Sequence, residues 1–268
     1  MTITTMLVVG FGNMTGAMVQ GWLRAGMPPA CFTVYHPRGK AVPEGVTLVT
    51  EWPDGPFDLV LLGVKPHMLD DVAPGLAQAV GAQTIVISVL AGVELASLRA
   101  RFPQAGAIVR LMPNLACALG KSPNALVGEG LDEAGKAAVT ALAEMLGSAE
   151  WLEGESQFDL VTALAGSGPG FVYRFIDALG IAATRLGLPQ EQAGRLAIQM
   201  VEGAAALAAT SEHSPGELAR RVASPGGMTQ KGLDVLDNGE VLVRLMVDTL
   251  RAARDRGAEM AEEARKNP

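Results

Sequence analysis

Two glycine-containing turns carry the residues with the clearest chemistry. In Ser224-Pro225-Gly226-Gly227-Met228-Thr229, Pro225 fixes its own φ, and the paired glycines let backbone N–H groups converge on an anion without Cβ obstruction. A turn of this kind entering a helix favours a carboxylate. Taken alone, the stretch reads more readily as a glycine-rich connector between two helices. The second turn, Gly10-Phe11-Gly12-Asn13-Met14, follows the apolar run Met6-Leu7-Val8-Val9 and opens a stretch with Met18, Trp22 and Leu23 at helical spacing. That order is strand, glycine turn, helix. Gly10 permits the tight turn, and Gly12 lets the backbone approach a pyrophosphate seated on the helix N-terminus.

Three further groups belong to the same chemistry. After the expected strand Cys31–Tyr35, no carboxylate occurs until Glu44. His36, Pro37, Arg38 and Lys40 instead surround the position that reads a dinucleotide ribose, with positive charge suited to a 2′-phosphate. This predicts NADP, with NADPH preferred over NADH; a solvated basic loop is the other reading. Val64, Lys65 and Pro66 end an apolar run and should border the cofactor, because ligands of open α/β sheets lie beyond the carboxyl ends of strands. Met112-Pro113-Asn114 closes another strand, where the Asn114 amide could serve a nicotinamide carboxamide, the substrate or a turn cap.

The elements that must position these residues fall into two blocks. Asp58–Val64, Thr84–Val89 and Ile108–Met112 are near-continuous apolar runs, the pattern of parallel strands buried on both faces, with helical stretches over 68–80 and 94–101 between them. Asn124–Val127 and Ala149–Leu152 extend the sheet around a helix over 132–146. The alternation predicts an α/β, Rossmann-like doubly wound domain over residues 1–154. Residues 155–268 show almost no strand signal and read as an all-α domain. Ser156 is placed to cap its first helix, and its last helix ends in charged residues suggesting a solvated tail. Leu196–Ala209 is apolar nearly all round, so it should be buried on most sides. A homodimer through the helical domain accounts for this better than a buried central helix in a monomer, with higher assembly left open.

Composition narrows the partners. Hydrophobic residues make up 49% of the chain and charged residues 18%, which describes a packed globular protein rather than a disordered one. The net charge of -7 argues against nucleic acid or an anionic membrane surface. Cys31 and Cys117 stand far apart without a CxxC pair and are expected to be buried thiols, and His36, His67 and His213 lack the paired spacing of a metal site. The first nine residues carry no basic lead of the signal-peptide kind, which points to a cytoplasmic location.

The five motifs Gly10–Met14, Val64-Lys65-Pro66, Met112-Pro113-Asn114, Gly166-Ser167-Gly168-Pro169 and Ser224–Thr229 together resemble pyrroline-5-carboxylate reductase over nearly the whole chain. The resemblance implies reduction of 1-pyrroline-5-carboxylate to L-proline with NADPH, the last step of proline biosynthesis, by a dimer formed through the helical domain. It implies that Ser224, Gly226, Gly227 and Met228 bind the substrate carboxylate, that the Thr229 hydroxyl meets the ring nitrogen as the catalytic group, and that Glu212 supports the site. Departures fall at Thr15, where alanine is usual and where the first helix would pack farther from its strand, and at Thr50, Leu115-Ala116 and Phe171. A β-hydroxyacid dehydrogenase shares the plan but uses a catalytic lysine, and residues 170–186 contain Arg174 and Arg185 without one. A non-catalytic NADP-binding sensor is the remaining alternative.

Overall fold

The computed structural model describes residues 2–266. One sheet of eight strands organises the first part of the chain: β1 Met6–Val9, β2 Phe32–Tyr35, β3 Thr47–Val49, β4 Leu59–Leu62, β5 Ile85–Ser88, β6 Ala107–Met112, β7 Ser122–Glu129 and β8 Gly147–Trp151. Their order is β3-β2-β1-β4-β5-β6-β7-β8, parallel throughout except for the antiparallel β6/β7 pair. β1 sits where the order reverses, with Met6 in register with Phe32 on one side and Leu59 on the other.

Every residue of β1, β4, β5 and β6 is buried, as the continuous apolar runs require. Side chains alternate between two cores. Met6, Val8, Leu59 and Leu61 face Met18, Val19 and Trp22 of α1 (Asn13–Arg24), while Leu7, Val9, Val60 and Leu62 face the opposite core with Leu69, Leu98 and Phe102. The helices of that second face are short, α2 (Leu69–Val72) and α3 (Leu95–Arg101). The helix expected over 68–80 is broken because Pro74 lacks an N–H and begins a separate 3₁₀ turn, Pro74–Leu76. On the first face, α4 (Glu133–Glu144) starts at Asp132, whose carboxylate accepts from Gly135 N at 2.7 Å, and the Leu142 carbonyl accepts the Trp22 indole N–H at 2.9 Å.

A third, smaller core joins Met112, Ala125 and Val127 to Phe158 of α5 (Phe158–Val161). This packing makes the compact units differ from a division after residue 154. One unit comprises the chain up to Ser167 and again from Ala252 onward, and the other is Gly168–Arg251. Ser156 caps nothing: it lies inside the 3₁₀ turn Glu155–Gln157, whose N-cap is Gly154, a residue without a side chain, while Glu155 turns inward to Arg110 and to the Leu95 amide.

The helical unit contains α6 (Gly168–Arg185), α7 (Gln190–Thr210), α8 (Pro215–Val222), α9 (Met228–Asp237) and the part of α10 (Val241–Lys266) up to Arg251. α8 carries a capping box in which Ser214 and Glu217 satisfy each other's amides. The later turns of α10 pack on the sheet unit before the exposed Glu262 and Glu263, and the side chains after these, on which the rest of the expected solvated tail falls, lie outside the described residues. Ala261 is buried in the sheet unit, and Gly92, left-handed at φ 73°, brings its turn against the Met260–Ala261 backbone. Within the single chain α7 is largely open, so the expected burial on most sides is not met there. Only Ala193 and Ala197 are buried, while Leu196, Ile198, Met200 and Leu207 are between 49% and 60% exposed.

Thr15 accounts for its own bulk at the first strand-to-helix joint. It is 1% exposed, its hydroxyl donates to the Gly10 carbonyl at 2.8 Å, and its Cγ2 methyl occupies the space where Gly63 has no side chain. The expected loosening is therefore taken up by Gly63. Gly63→Ala should destabilise the fold by about 1–3 kcal/mol through overpacking, and Thr15→Ala in the same chain should recover most of that loss. Denaturant unfolding of the two single variants and the pair measures it; equal stability of Gly63→Ala and the parent would contradict the packing described.

Candidate functional site

The cofactor half lies at the carboxyl edge of the sheet. Gly10 ends β1 with φ 86°, a left-handed conformation natural to glycine, and a Cβ there would stand 2.9 Å from Val64 Cγ1. The Gly10–Met14 and Val64–Pro66 loops are thus in direct contact, as neighbouring β1 and β4 require. Beyond the turn, Gly12 is the N-cap of α1, exposed, with nothing within 4 Å of an added Cβ and no side-chain cap. The first turn of α1 carries no acidic residue. Free amides, an open glycine surface and absent negative charge fit a dinucleotide pyrophosphate.

The loop after β2 lies beside this turn. His36 N donates to the Val49 carbonyl at 3.0 Å, which leaves the side chain part-buried with Nδ1 unpartnered, and Arg38 is exposed. The edge strand β3 that supplies Val49 went unanticipated: Thr47 and Leu48 are exposed, so no apolar alternation marks it. The β2 end offers no carboxylate to a ribose, and its cationic and imidazole groups fit a 2′-phosphate. Lys65 is exposed and begins the turn Pro66–Met68, accepting from Met68 N at 2.9 Å.

Met112, Pro113 and Asn114 are buried at the end of β6. Of the roles open to Asn114, the turn cap is the one seen. Its Oδ1 accepts from Ala116 N and its Nδ2 donates to the Ala165 carbonyl, both at 2.9 Å. The Asn114 side chain is thus engaged on both of its polar atoms within the loop. Sequence reasoning missed the charged residue just upstream. Arg110, 3% exposed in mid-strand, donates to Glu155 at 2.7 Å and lies over the Phe158 ring at 3.9 Å. An arginine inside the apolar run 107–112 was the available signal. Cys117 is buried, and burial pushes its thiol up to about 11, so it stays protonated; Cys31 is only part-buried, contrary to expectation.

The second candidate turn is in the helical unit. Gly226 is left-handed at φ 72°, and Gly227 N donates to the Ser224 carbonyl at 2.9 Å, closing the turn before α9. Gly227 is the N-cap, with no side chain to satisfy the first amides of the helix. Ser224, Met228 and Thr229 are exposed, Met228 at 94%. Nearby polar side chains turn away: Gln230 donates to Asp234 at 2.9 Å and Lys231 pairs with the same carboxylate at 3.6 Å. Glu212 is exposed in the loop between α7 and α8, outside the turn itself. Among the described residues, no group of three His, Cys, Asp or Glu side chains is placed to hold a metal ion.

Comparison with known proteins follows these two halves. A family model described as pyrroline-5-carboxylate reductase dimerisation matches residues 155–260. A pyrroline-5-carboxylate reductase of Pseudomonas aeruginosa is 36% identical over 265 residues, covering 95% of this chain and 96% of that protein. Pyrroline-5-carboxylate reductase 3 of Danio rerio is 32% identical, covering 97% and 92%. Among solved structures, a pyrroline-5-carboxylate reductase from Coxiella burnetii superposes with a TM-score of 0.84 at 29% identity, covering 97% of this chain and 99% of that one. The Plasmodium falciparum pyrroline carboxylate reductase, solved with NADP bound, shares the fold at a TM-score of 0.81 and 23% identity, covering 96% and 98%.

Proposed function

Because the chain belongs to the pyrroline-5-carboxylate reductase family, we propose that it reduces 1-pyrroline-5-carboxylate to L-proline with NADPH, the last step of proline biosynthesis. The observation that carries this reading is the turn Ser224–Thr229, where an uncapped helix start, a left-handed Gly226 and an unpartnered threonine hydroxyl coincide. The free amides of Met228 and the rest of the first turn of α9 hold the carboxylate, with Gly226 and Gly227 shaping the turn that presents them, helped by Ser224 and the helix dipole. Thr229 orients the ring nitrogen, and Glu212 supports the loop. NADPH supplies the hydride that reaches the C=N carbon. A cyclic imine protonated near neutral pH accepts it without a strong acid, so the chain's own contribution is mainly positioning.

Gly10, Phe11, Gly12, Asn13 and Met14 hold the pyrophosphate, with Val64, Lys65, Pro66, Met112, Pro113 and Asn114 bordering the rest of the dinucleotide. His36 and Arg38 read the 2′-phosphate. The chain acts in the cytoplasm as a homodimer through its helical unit. Among the described residues, no helix is long and apolar enough to cross a membrane.

The test is NADPH oxidation with pyrroline-5-carboxylate, run beside other cyclic imines and beside a hydroxyacid in the reverse direction. Pyrroline-5-carboxylate should give the highest kcat/KM. Preference for the hydroxyacid would favour the dehydrogenase reading, although α6 offers Arg174, paired with Asp177, and Arg185 where that chemistry needs a lysine. In the same assay NADPH should outperform NADH, and Arg38→Ala should raise the KM for NADPH about ten-fold, the scale of one charge-assisted contact, while leaving NADH nearly unchanged. A parent enzyme that prefers NADH would overturn the 2′-phosphate assignment.

A further inference from the structure

The basic residues after β2 do not act as one cluster. His36 and Arg38 stay at the strand end, whereas Lys40 reaches across to the neighbouring turn, where its Nζ donates to the Phe11 carbonyl at 2.6 Å. The same ammonium stands 5.9 Å from the centroid of the Phe11 ring, which is itself buried at 8% exposure. Phe11 lies between Gly10 and Gly12, so the charge is fixed over the turn that leads into α1. One of the three ammonium donors is engaged by Phe11, and among the described residues no other partner is present for the remaining two.

We propose that Lys40 is a pyrophosphate-binding residue of the cofactor site, held ready over the glycine turn by the Phe11 carbonyl. This rests on the dinucleotide reading given above and adds a division of labour to it. Arg38 and His36 distinguish the phosphorylated ribose, and Lys40 serves the diphosphate common to both nicotinamide dinucleotides. A lysine suits that role because it is a compact point charge with donors to spare, and a second donor can reach a phosphate oxygen while the first stays on Phe11. The net charge of -7 makes local cationic help at this turn necessary for any polyanionic ligand.

Equilibrium binding of NADPH and NADH, followed by nucleotide fluorescence on the full chain without substrate, separates the roles. Lys40→Met should weaken both dinucleotides by the same factor, about ten-fold for loss of a charged hydrogen bond, and flatten the salt dependence of both. Lys40→Arg should retain most of the affinity. Lys40→Gln serves as a second neutral variant, and thermal melting of each variant checks that the fold persists. A loss confined to NADPH would make Lys40 a 2′-phosphate reader, and unchanged affinities would make the Phe11 contact a structural tie; either overturns the proposal. If the parent chain binds neither dinucleotide, the underlying cofactor reading fails first.

Discussion

Thr229→Ala should lower kcat with pyrroline-5-carboxylate about 10²-fold, the scale seen when one positioned donor is removed from a transition state, while the affinity for NADPH stays within about two-fold because nothing at the dinucleotide turns changes. The structure gives a specific reason to expect so large an effect from one hydroxyl. Threonines inside the helices of this chain donate to the carbonyl one turn back: Thr140 to Lys136, Thr184 to Gly180, Thr210 to Ala206 and Thr249 to Leu245. Thr229 is the second residue of α9, so the residue four positions before it is Pro225, in the turn and outside the helix. Its hydroxyl is deprived of that ordinary partner and remains available to a ligand. It sits beside amides that favour a carboxylate, so a bound imine acid is held at one end by backbone and met at the other by Oγ1. The alcohol proton is too tightly held for full transfer; its function is to orient the C=N bond and to match the changing charge on nitrogen. Thr229→Ser should keep most of the turnover, and Thr229→Val, which preserves shape without the hydroxyl, should resemble alanine. Steady-state kinetics of the three variants decide the matter, and an alanine variant with parental kcat would remove Thr229 from the reaction.

How far this site was readable from sequence depended on whether each feature is local. The continuous apolar runs at 59–62, 85–88 and 107–112 mark buried parallel strands by themselves, and the glycines at 10, 12, 226 and 227 announce turns wherever they occur. The α/β fold class and the position of both turns follow from such local signals. What escaped depends on partners distant in the chain. Arg110 looks out of place in its strand until Glu155 arrives 45 residues later to neutralise it and to accept the Leu95 amide with the same oxygen. Lys40 reads as one more charge in a basic loop until it is seen 29 residues away on Phe11. Thr15 reads as a departure from a motif until Gly63, on another strand's exit, supplies the room it needs. β3 shows the complementary failure: an edge strand with exposed Thr47 and Leu48 has no hydrophobic period to read. Asn114 shows a third, since an amide before a turn offers the same atoms to a ligand and to its own backbone, and only geometry chooses between them.

The second large effect concerns assembly. Ile198→Glu should convert the protein from a dimer to a monomer at micromolar concentration, raising the dimer dissociation constant by more than about 10²-fold, with loss of most activity. The reason begins with the apolar circumference of α7, which folding of a single chain leaves largely open. Ile198 is 56% exposed, Met200 52% and Leu207 60%, and the same unit exposes Phe175 on α6 and Val243 and Leu245 on α10. Apolar side chains exposed in this number on three helices exceed what an isolated soluble unit usually presents to water. Between α6 and α7 lies an open groove of about 1030 Å³, whose lining includes Ile176, Gly180, Ile181, Gly194 and Ile198. Gly180 and Gly194 face each other there, a Cβ on Gly180 lying 3.7 Å from the Gly194 Cα, so the groove floor is low. A second copy of this chain offers a matching surface by two-fold symmetry, which is the simplest closed arrangement. The reading of a buried central helix in a monomer fails on the exposure of α7 itself. A glutamate at position 198 would place an unpaired carboxylate in the joined surface, a cost of several kcal/mol that the folded monomer does not incur. Sedimentation equilibrium of parent and variant measures the change, with circular dichroism to show that the helices persist. Leu207→Glu provides an independent second site on the same helix. A parent chain that sediments as a monomer across the micromolar range would refute the dimer and leave the exposed face of α7 unexplained.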